Sequence, residues 1–458
     1  METRGLEPVP DSERTGRVRS LFPTWAGANL TVLSLTMGAG LVVFGGLNLW
    51  QVLVVAITAP AIGFGLVGLV SITGREGGAP GMALSRAVFG PRGNLLPGAP
   101  IWIARWGWET VNAVTGTYAV LAVLNLLFGV VSGSALIMAT LVSFVGGSFL
   151  VSGLGWRALR VCCTWSTYLF GCSSVLVLIH LIGRTPWPEA LGRPAGPTAA
   201  MVTGIGVLVA GGISWVPSGP DFARYLPRTA SGRAVVAATT AGAVVVCLPL
   251  VLMGAVMAVE TPGLAAARDP VAFIGPLLPA WLAVPYLLVS VVGMVLINAM
   301  SLYTGGFTAQ TLGLAIPRTW AVGVNAVISL FLSSLLMMSA QRFMDSFVSF
   351  LTLLAVTFSA WIGVFGADRL RGRAYDPAAL LNTSPDGDYW YTGGFSLPAA
   401  AAWTAGLVAG LLLTRVEWFS GPLADTWAGR HGLGWAVTVA VSGASYAILP
   451  RPAPASGG

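Results

Sequence analysis

The side chains best suited to holding a small polar molecule lie in one apolar stretch, Ile101-Trp102-Ile103-Ala104-Arg105-Trp106-Gly107-Trp108-Glu109-Thr110-Val111-Asn112. If it is helical, Arg105, Trp108, Glu109 and Asn112 fall within about one third of the circumference. Trp108 offers a flat ring for stacking, and Asn112, one turn on, offers both a donor and an acceptor. That pair suits a planar heterocycle with amide-like edges. Arg105 and Glu109 stand four apart and can neutralise each other, which matters where a lone central charge in a membrane costs roughly 3 kcal/mol or more. The plainer alternative is that Arg105 snorkels to the membrane surface and Trp108 only packs.

Other polar groups interrupt apolar surroundings farther along. Ser214 and Trp215 follow Gly211-Gly212, and Asp221 and Arg224 follow Pro220; these last two read as a structural pair near a helix end. Asn298, Ser301, Tyr303 and Thr304 lie in a later apolar run, and Asp345 starts another. Cys162, Cys163, Cys172 and Cys247 sit in apolar stretches without a CxxC pair, and read as small buried hydrophobes. His180 and His431 are the only histidines. Clustered His, Cys or carboxylates at ligand spacing are lacking, so the sequence predicts no metal site, no cofactor and no membrane-embedded enzyme.

The elements that position these residues follow from composition. Only 9% of the residues are charged, 55% are hydrophobic, and mean hydropathy is +0.80 over 458 residues. Lipid must be the solvent for much of such a surface. Twelve spans can be marked, roughly 24–45, 49–72, 98–125, 131–153, 160–182, 199–225, 235–260, 277–312, 319–339, 343–367, 396–414 and 433–449. The eighth is long and is expected to tilt or bend. Residues 1–22 form a polar tail with four Arg and no apolar core, residues 23–450 the transmembrane domain, and 451–458 a second tail.

All 24 basic residues are Arg. With the N-terminus cytoplasmic, 17 of them fall on the inner side, 6 on the outer, and Arg105 within a span. That bias predicts both termini in the cytoplasm of a multi-pass plasma-membrane protein. It also accounts for the net charge of +7 without a nucleic-acid partner, since no run of five like charges occurs.

Two spans are interrupted. The first carries Gly38, Gly40, Gly45 and Gly46, and the sixth carries Gly211-Gly212, Pro217, Gly219 and Pro220. Irregular backbone at membrane depth must line a cavity or be buried in protein. Broken helices five spans apart are the mark of two inverted five-helix repeats around a midplane site, here about 23–183 and 199–367, with the last two helices, about 396–449, outside them.

These segments resemble the nucleobase–cation symporter-1 family, in its purine–cytosine permease branch. The resemblance runs from Phe22-Pro23-Thr24-Trp25 to about Leu449. It is carried by Gly81-Met82-Ala83-Leu84-Ser85-Arg86-Ala87-Val88-Phe89-Gly90-Pro91-Arg92-Gly93-Asn94, by Pro220-Asp221-Phe222-Ala223-Arg224-Tyr225-Leu226-Pro227, by Asp368-Arg369-Leu370-Arg371 with Tyr375-Asp376, and by Tyr389-Trp390-Tyr391-Thr392-Gly393-Gly394. It implies an all-α LeuT-type fold of twelve helices, with a five-plus-five inverted repeat and helices 1 and 6 broken. It further implies that a base stacks on Trp108 and is edge-bound at Asn112. The family's second aromatic wall aligns with Gly212, three residues before Trp215, so either Trp215 supplies that wall from a shifted backbone or the pocket is wider. Sodium-coupled members hold the ion with helix-1 carbonyls, here Asn29 and Val32, and two helix-8 hydroxyls, here replaced by Leu296 and Ile297. An apolar side chain cannot replace an oxygen ligand for a hard cation, so proton coupling is expected.

The expected substrate-facing set is Trp108, Asn112, Arg105, Gly212, Ser214, Trp215, Asn298, Leu33 and Ser34, and the coupling set Glu109, Asp345, Asn29 and Val32. The expected function is secondary active import of a nucleobase (cytosine, a purine or a related pyrimidine) with a cation, H+ rather than Na+. Alternatives are another heterocycle such as a hydantoin, allantoin or hydroxymethylpyrimidine, coupling to Na+, or, from another class, a channel.

Overall fold

The computed structural model describes residues 4–266, 277–339, 343–372 and 375–451. The first span is split into α1 (Leu21–Gly27) and α2 (Leu33–Val43), and α3 (Leu49–Gly77) leads to a short buried α4 (Gly81–Phe89). Next come α5 (Leu95–Phe128), α6 (Ser134–Leu154), α7 (Trp156–Arg184) and the short α8 (Trp187–Gly192). The sixth span is split into α9 (Thr198–Ile213) and α10 (Gly219–Ala223), joined through a 3-10 turn at Val216–Ser218. Then follow α11 (Gly232–Glu260), α12 (Ala280–Thr311), α13 (Arg318–Ser339), α14 (Phe343–Leu370) and α15 (Leu397–Leu412). A small antiparallel ribbon, β1 (Arg415–Val416) with β2 (Phe419–Ser420), precedes α16 (Trp427–Arg430) and α17 (Gly434–Ile448).

Among the described residues nine helices are long and apolar enough to cross a membrane, counting α9 and α10 together, and α2, α15 and α17 are shorter apolar helices. Together they make the twelve crossings. Outward side chains such as Leu150, Trp165, Val327 and Phe331 are exposed and apolar, as a lipid-facing surface requires. The eighth crossing is one unbroken helix of 32 residues with Pro285 in its opening turns. At about 1.5 Å per residue it exceeds a ~30 Å hydrocarbon core.

The first break is not at the glycines. It lies at residues 28–32, where Asn29 Nδ2 donates to the Trp25 carbonyl at 2.7 Å and Thr31 Oγ1 accepts from the Leu33 amide at 3.2 Å. Such side chains offer the backbone an alternative to the helical ladder. Gly38 lies inside α2 and serves close packing instead: a Cβ there would stand 1.9 Å from the Val251 carbonyl of α11, as one on Gly254 would from Leu35 O. The second break does fall where Pro217 and Pro220 remove donors. Just before it, Gly212 meets Gly63 of α3 nearly backbone to backbone, a Cβ on Gly212 standing 2.7 Å from Gly63 Cα. α11 lies along α3, α12 along α5, and α14, α15 and α17 pack together.

One side of the bundle is fastened by polar groups. The Asp221 carboxylate accepts from the Gly81 amide at 2.8 Å, which caps α4. Arg14 donates to the carbonyls of Val9, Arg75, Glu76 and Gly77, closing the end of α3 where Gly78 takes φ +71°. Burial, with repulsion from Arg228 second, pulls the Arg14 guanidinium below its usual value, and Asp11 works in the opposite direction. Asp368 accepts from Tyr446 at 2.8 Å and from Tyr375 at 2.9 Å.

Candidate functional site

A cavity of about 110 Å³ lies where both breaks face α3, α5, α11, α12 and α14. Its wall takes Asn29, Leu33 and Ser34 from the first break and α2, Trp108 and Asn112 from α5, and Gly212 and Trp215 from the second break. The helical period thus delivers Trp108 and Asn112 to one space, as their four-residue separation requires. The Asn112 amide nitrogen is buried with no hydrogen-bond partner among the described residues, so it can donate to an occupant. Trp108 packs edge-on to Phe350, with ring centroids 6.1 Å apart.

Trp215 supplies the aromatic on the second break. Its ring is held edge-on by Trp25 at 5.9 Å, and the Arg105 guanidinium lies over it at 4.9 Å. At Gly212 the close approach of Gly63 leaves no room for a larger side chain.

Arg105 is almost fully buried and lies off the cavity wall, donating to the Ser214 carbonyl and to Ser218 Oγ, both at 2.7 Å. It satisfies a carbonyl at the C-terminal end of α9, where a cation also meets the helix dipole favourably. Ser214 is likewise off the wall; its hydroxyl bonds back to Gly211 O at 2.7 Å. Glu109 turns the other way, toward α12. One carboxylate oxygen accepts from Ser301 Oγ at 3.0 Å and the other has no partner among the described residues. Arg105 and Glu109, read from spacing as a neutralising pair, therefore engage different neighbours. Beside Glu109, Asn325 Oδ1 accepts from the indoles of Trp102 at 2.7 Å and Trp106 at 2.9 Å. This α5–α12–α13 cluster was not foreseen, because Ser301 and Asn325 are about two hundred residues away in sequence.

Asn298 is fully buried with neither amide atom partnered among the described residues, and it is not on the wall. Val32 is buried and also off the wall, and its carbonyl accepts from the Leu35 amide at 3.0 Å. The Asn29 carbonyl accepts from Thr31 N at 2.8 Å, and the Asn29 side chain accepts from Cys247 Sγ at 3.3 Å. Ile297 shares the cavity with Asn29, and Leu296 is buried. Asp345 belongs to α14, but its side chain lies outside the described residues. Sequence reasoning missed Phe64, Met37, Cys247 and Leu351 on the wall. Apolar residues in apolar helices carry no signal that separates a cavity from a core.

Twelve apolar crossings, two of them broken around one cavity, make a LeuT-type transporter fold. Among solved structures the chain is similar to Mhp1, described as a nucleobase-cation-symport-1 family transporter in a closed conformation with bromovinylhydantoin bound; the TM-score is 0.77 at 18% identity, covering 97% of this chain and 94% of that one. In sequence it is 23% identical over 467 residues to a Bacillus subtilis (strain 168) protein named "Putative purine-cytosine permease YxlA", covering 99% of this chain and 96% of that one. It is 27% identical over 275 residues to the purine-cytosine permease FCY2 of Saccharomyces cerevisiae, covering 59% and 49% of the two chains. The family model for permeases of cytosine and purines, uracil, thiamine and allantoin matches residues 8–434, and the chain belongs to that family. It is a multi-pass membrane transporter of nucleobase-like molecules.

Proposed function

We propose that the chain imports a nucleobase, such as cytosine, a purine or a related pyrimidine, together with protons across the plasma membrane. The observation that carries this reading is the cavity itself, in which Trp108 and Trp215 bring aromatic rings and Asn112 an amide donor, unpartnered among the described residues, to one space. Aromatic rings and an amide match the π-face and the polar edge of a base. Another small heterocycle, a hydantoin or allantoin, presents the same chemistry. Mhp1, named above with a bound hydantoin derivative, supports keeping that second reading. Uptake of labelled cytosine competed by unlabelled bases, hydantoin and allantoin ranks them. The proposal expects a nucleobase to compete best, and a hydantoin or allantoin outcompeting every base would replace it.

The apolar pair Leu296 and Ile297 supports protons over sodium, because a hard cation needs a near-complete oxygen shell. Glu109 is the proposed proton carrier. It is buried beside the transport cavity, keeps one oxygen unpartnered among the described residues, and does not depend on Arg105 for a hydrogen bond. Both termini are proposed to be cytoplasmic on the Arg distribution.

A further inference from the structure

The N-terminal segment crosses the start of α7 and leaves two crevices there, of about 900 and 790 Å³, which share Thr15 and Arg160. Arg17 and Arg19 enter the first from the segment, and Arg157 enters the second from the opening turn of α7. None of these four guanidiniums has a hydrogen bond or an ion pair among the described residues. The nearby carboxylates are already engaged: Glu13 pairs with Arg4 at 2.9 Å, and Asp11 with Arg14 at 3.3 Å and Arg228 at 3.0 Å. α7 begins at Trp156 and its N-cap, Gly155, has no side chain to cap it, so its first amides add positive potential. Three of these cations, Arg17, Arg19 and Arg160, line the first crevice together, and beside such a helix start they favour an anion.

The outer wall of the first crevice shows what kind of anion fits. Trp165 and Tyr168 stand there, each 65% exposed. Leu176 and Ile179 continue the same exposed stripe along α7 at helical spacing. Aromatic rings belong at headgroup depth, and the apolar stripe beyond them faces acyl chains. A free phosphate would use the charges and leave the rings and stripe idle, whereas a phospholipid uses all three. We infer that this crevice binds the phosphate headgroup of an anionic glycerophospholipid, with its acyl chains along α7. The site is separate from the transport cavity and does not depend on what is carried.

The test uses the purified full-length chain, delipidated in detergent and titrated with phosphatidylglycerol or phosphatidylcholine, with bound lipid counted by native mass spectrometry. Phosphatidylglycerol is expected to bind in preference. The Arg17→Gln, Arg19→Gln, Arg160→Gln triple variant should weaken it by about fivefold per Arg and leave phosphatidylcholine unchanged. The corresponding triple Lys variant, which keeps the charge, should restore most of the preference. Trp165→Ala should also weaken phosphatidylglycerol. Equal affinity for the two lipids would overturn the assignment, as would an unchanged preference in the triple Gln variant. Displacement of the lipid by equimolar inorganic phosphate, with Trp165→Ala silent, would make the crevice a soluble-anion site instead.

Discussion

Trp108 and Asn112 reach one cavity from one helix, so each can be shortened without moving the other's backbone. Trp108→Ala removes a stacking wall worth roughly 1–3 kcal/mol by analogy with base–aromatic stacking. We expect a matching rise in the half-saturation constant for uptake, with membrane insertion unchanged; a parental constant would remove Trp108 from the site. Asn112→Ala should act in the same direction. Glu109→Gln keeps the shape of the side chain and its bond to Ser301, but cannot exchange a proton. Uptake by this variant should lose its response to an inward pH gradient, measured in vesicles at matched expression. At this scale the sequence was informative where one helix sufficed. Trp108 and Asn112 share a face by period alone, whereas the Ser301 partner of Glu109 and the Ser214 and Ser218 partners of Arg105 come from other helices. No spacing rule reaches that far.

Among the helices, close crossings decide how the two broken segments are held. A Cβ on Gly38 would meet the Val251 carbonyl at 1.9 Å, whereas one on Gly40 would find only Phe44, at 3.7 Å. Gly38→Ala is therefore expected to destabilise by about 1–3 kcal/mol, the usual cost of overpacking. Gly40→Ala should be neutral or mildly stabilising, since Ala favours a helix interior over Gly. Thermal unfolding of the detergent-purified variants compares them directly, and equal midpoints would refute the close crossing. The same distinction explains a misreading: glycines mark both breaks and crossings, and only the partner helix tells them apart. The resemblance motifs also gain a physical role at this scale. Asp221 caps α4, Asp368 holds Tyr375 and Tyr446, and Tyr391 donates to the Ala87 carbonyl at 2.6 Å. These stretches brace the bundle and do not line the cavity.

For the whole molecule, length and hydropathy made the twelve crossings legible, with boundaries close to those observed. The short buried α4 escaped notice because its nine residues carry an Arg and lie between spans. The Arg asymmetry predicts that a reporter fused near Arg371 reads out on the cytoplasmic face, and an external signal there would invert the proposed topology. The central claim joins the cavity to the cargo and the driving ion. Its most direct test is uptake of labelled cytosine and hypoxanthine into vesicles reconstituted with the purified chain, under an inward pH gradient or an inward sodium gradient at fixed pH. Saturable accumulation is expected under the pH gradient, collapsed by an uncoupler and shifted to higher base concentration in Trp108→Ala. Accumulation driven by sodium alone, or by neither gradient for any base, would contradict it.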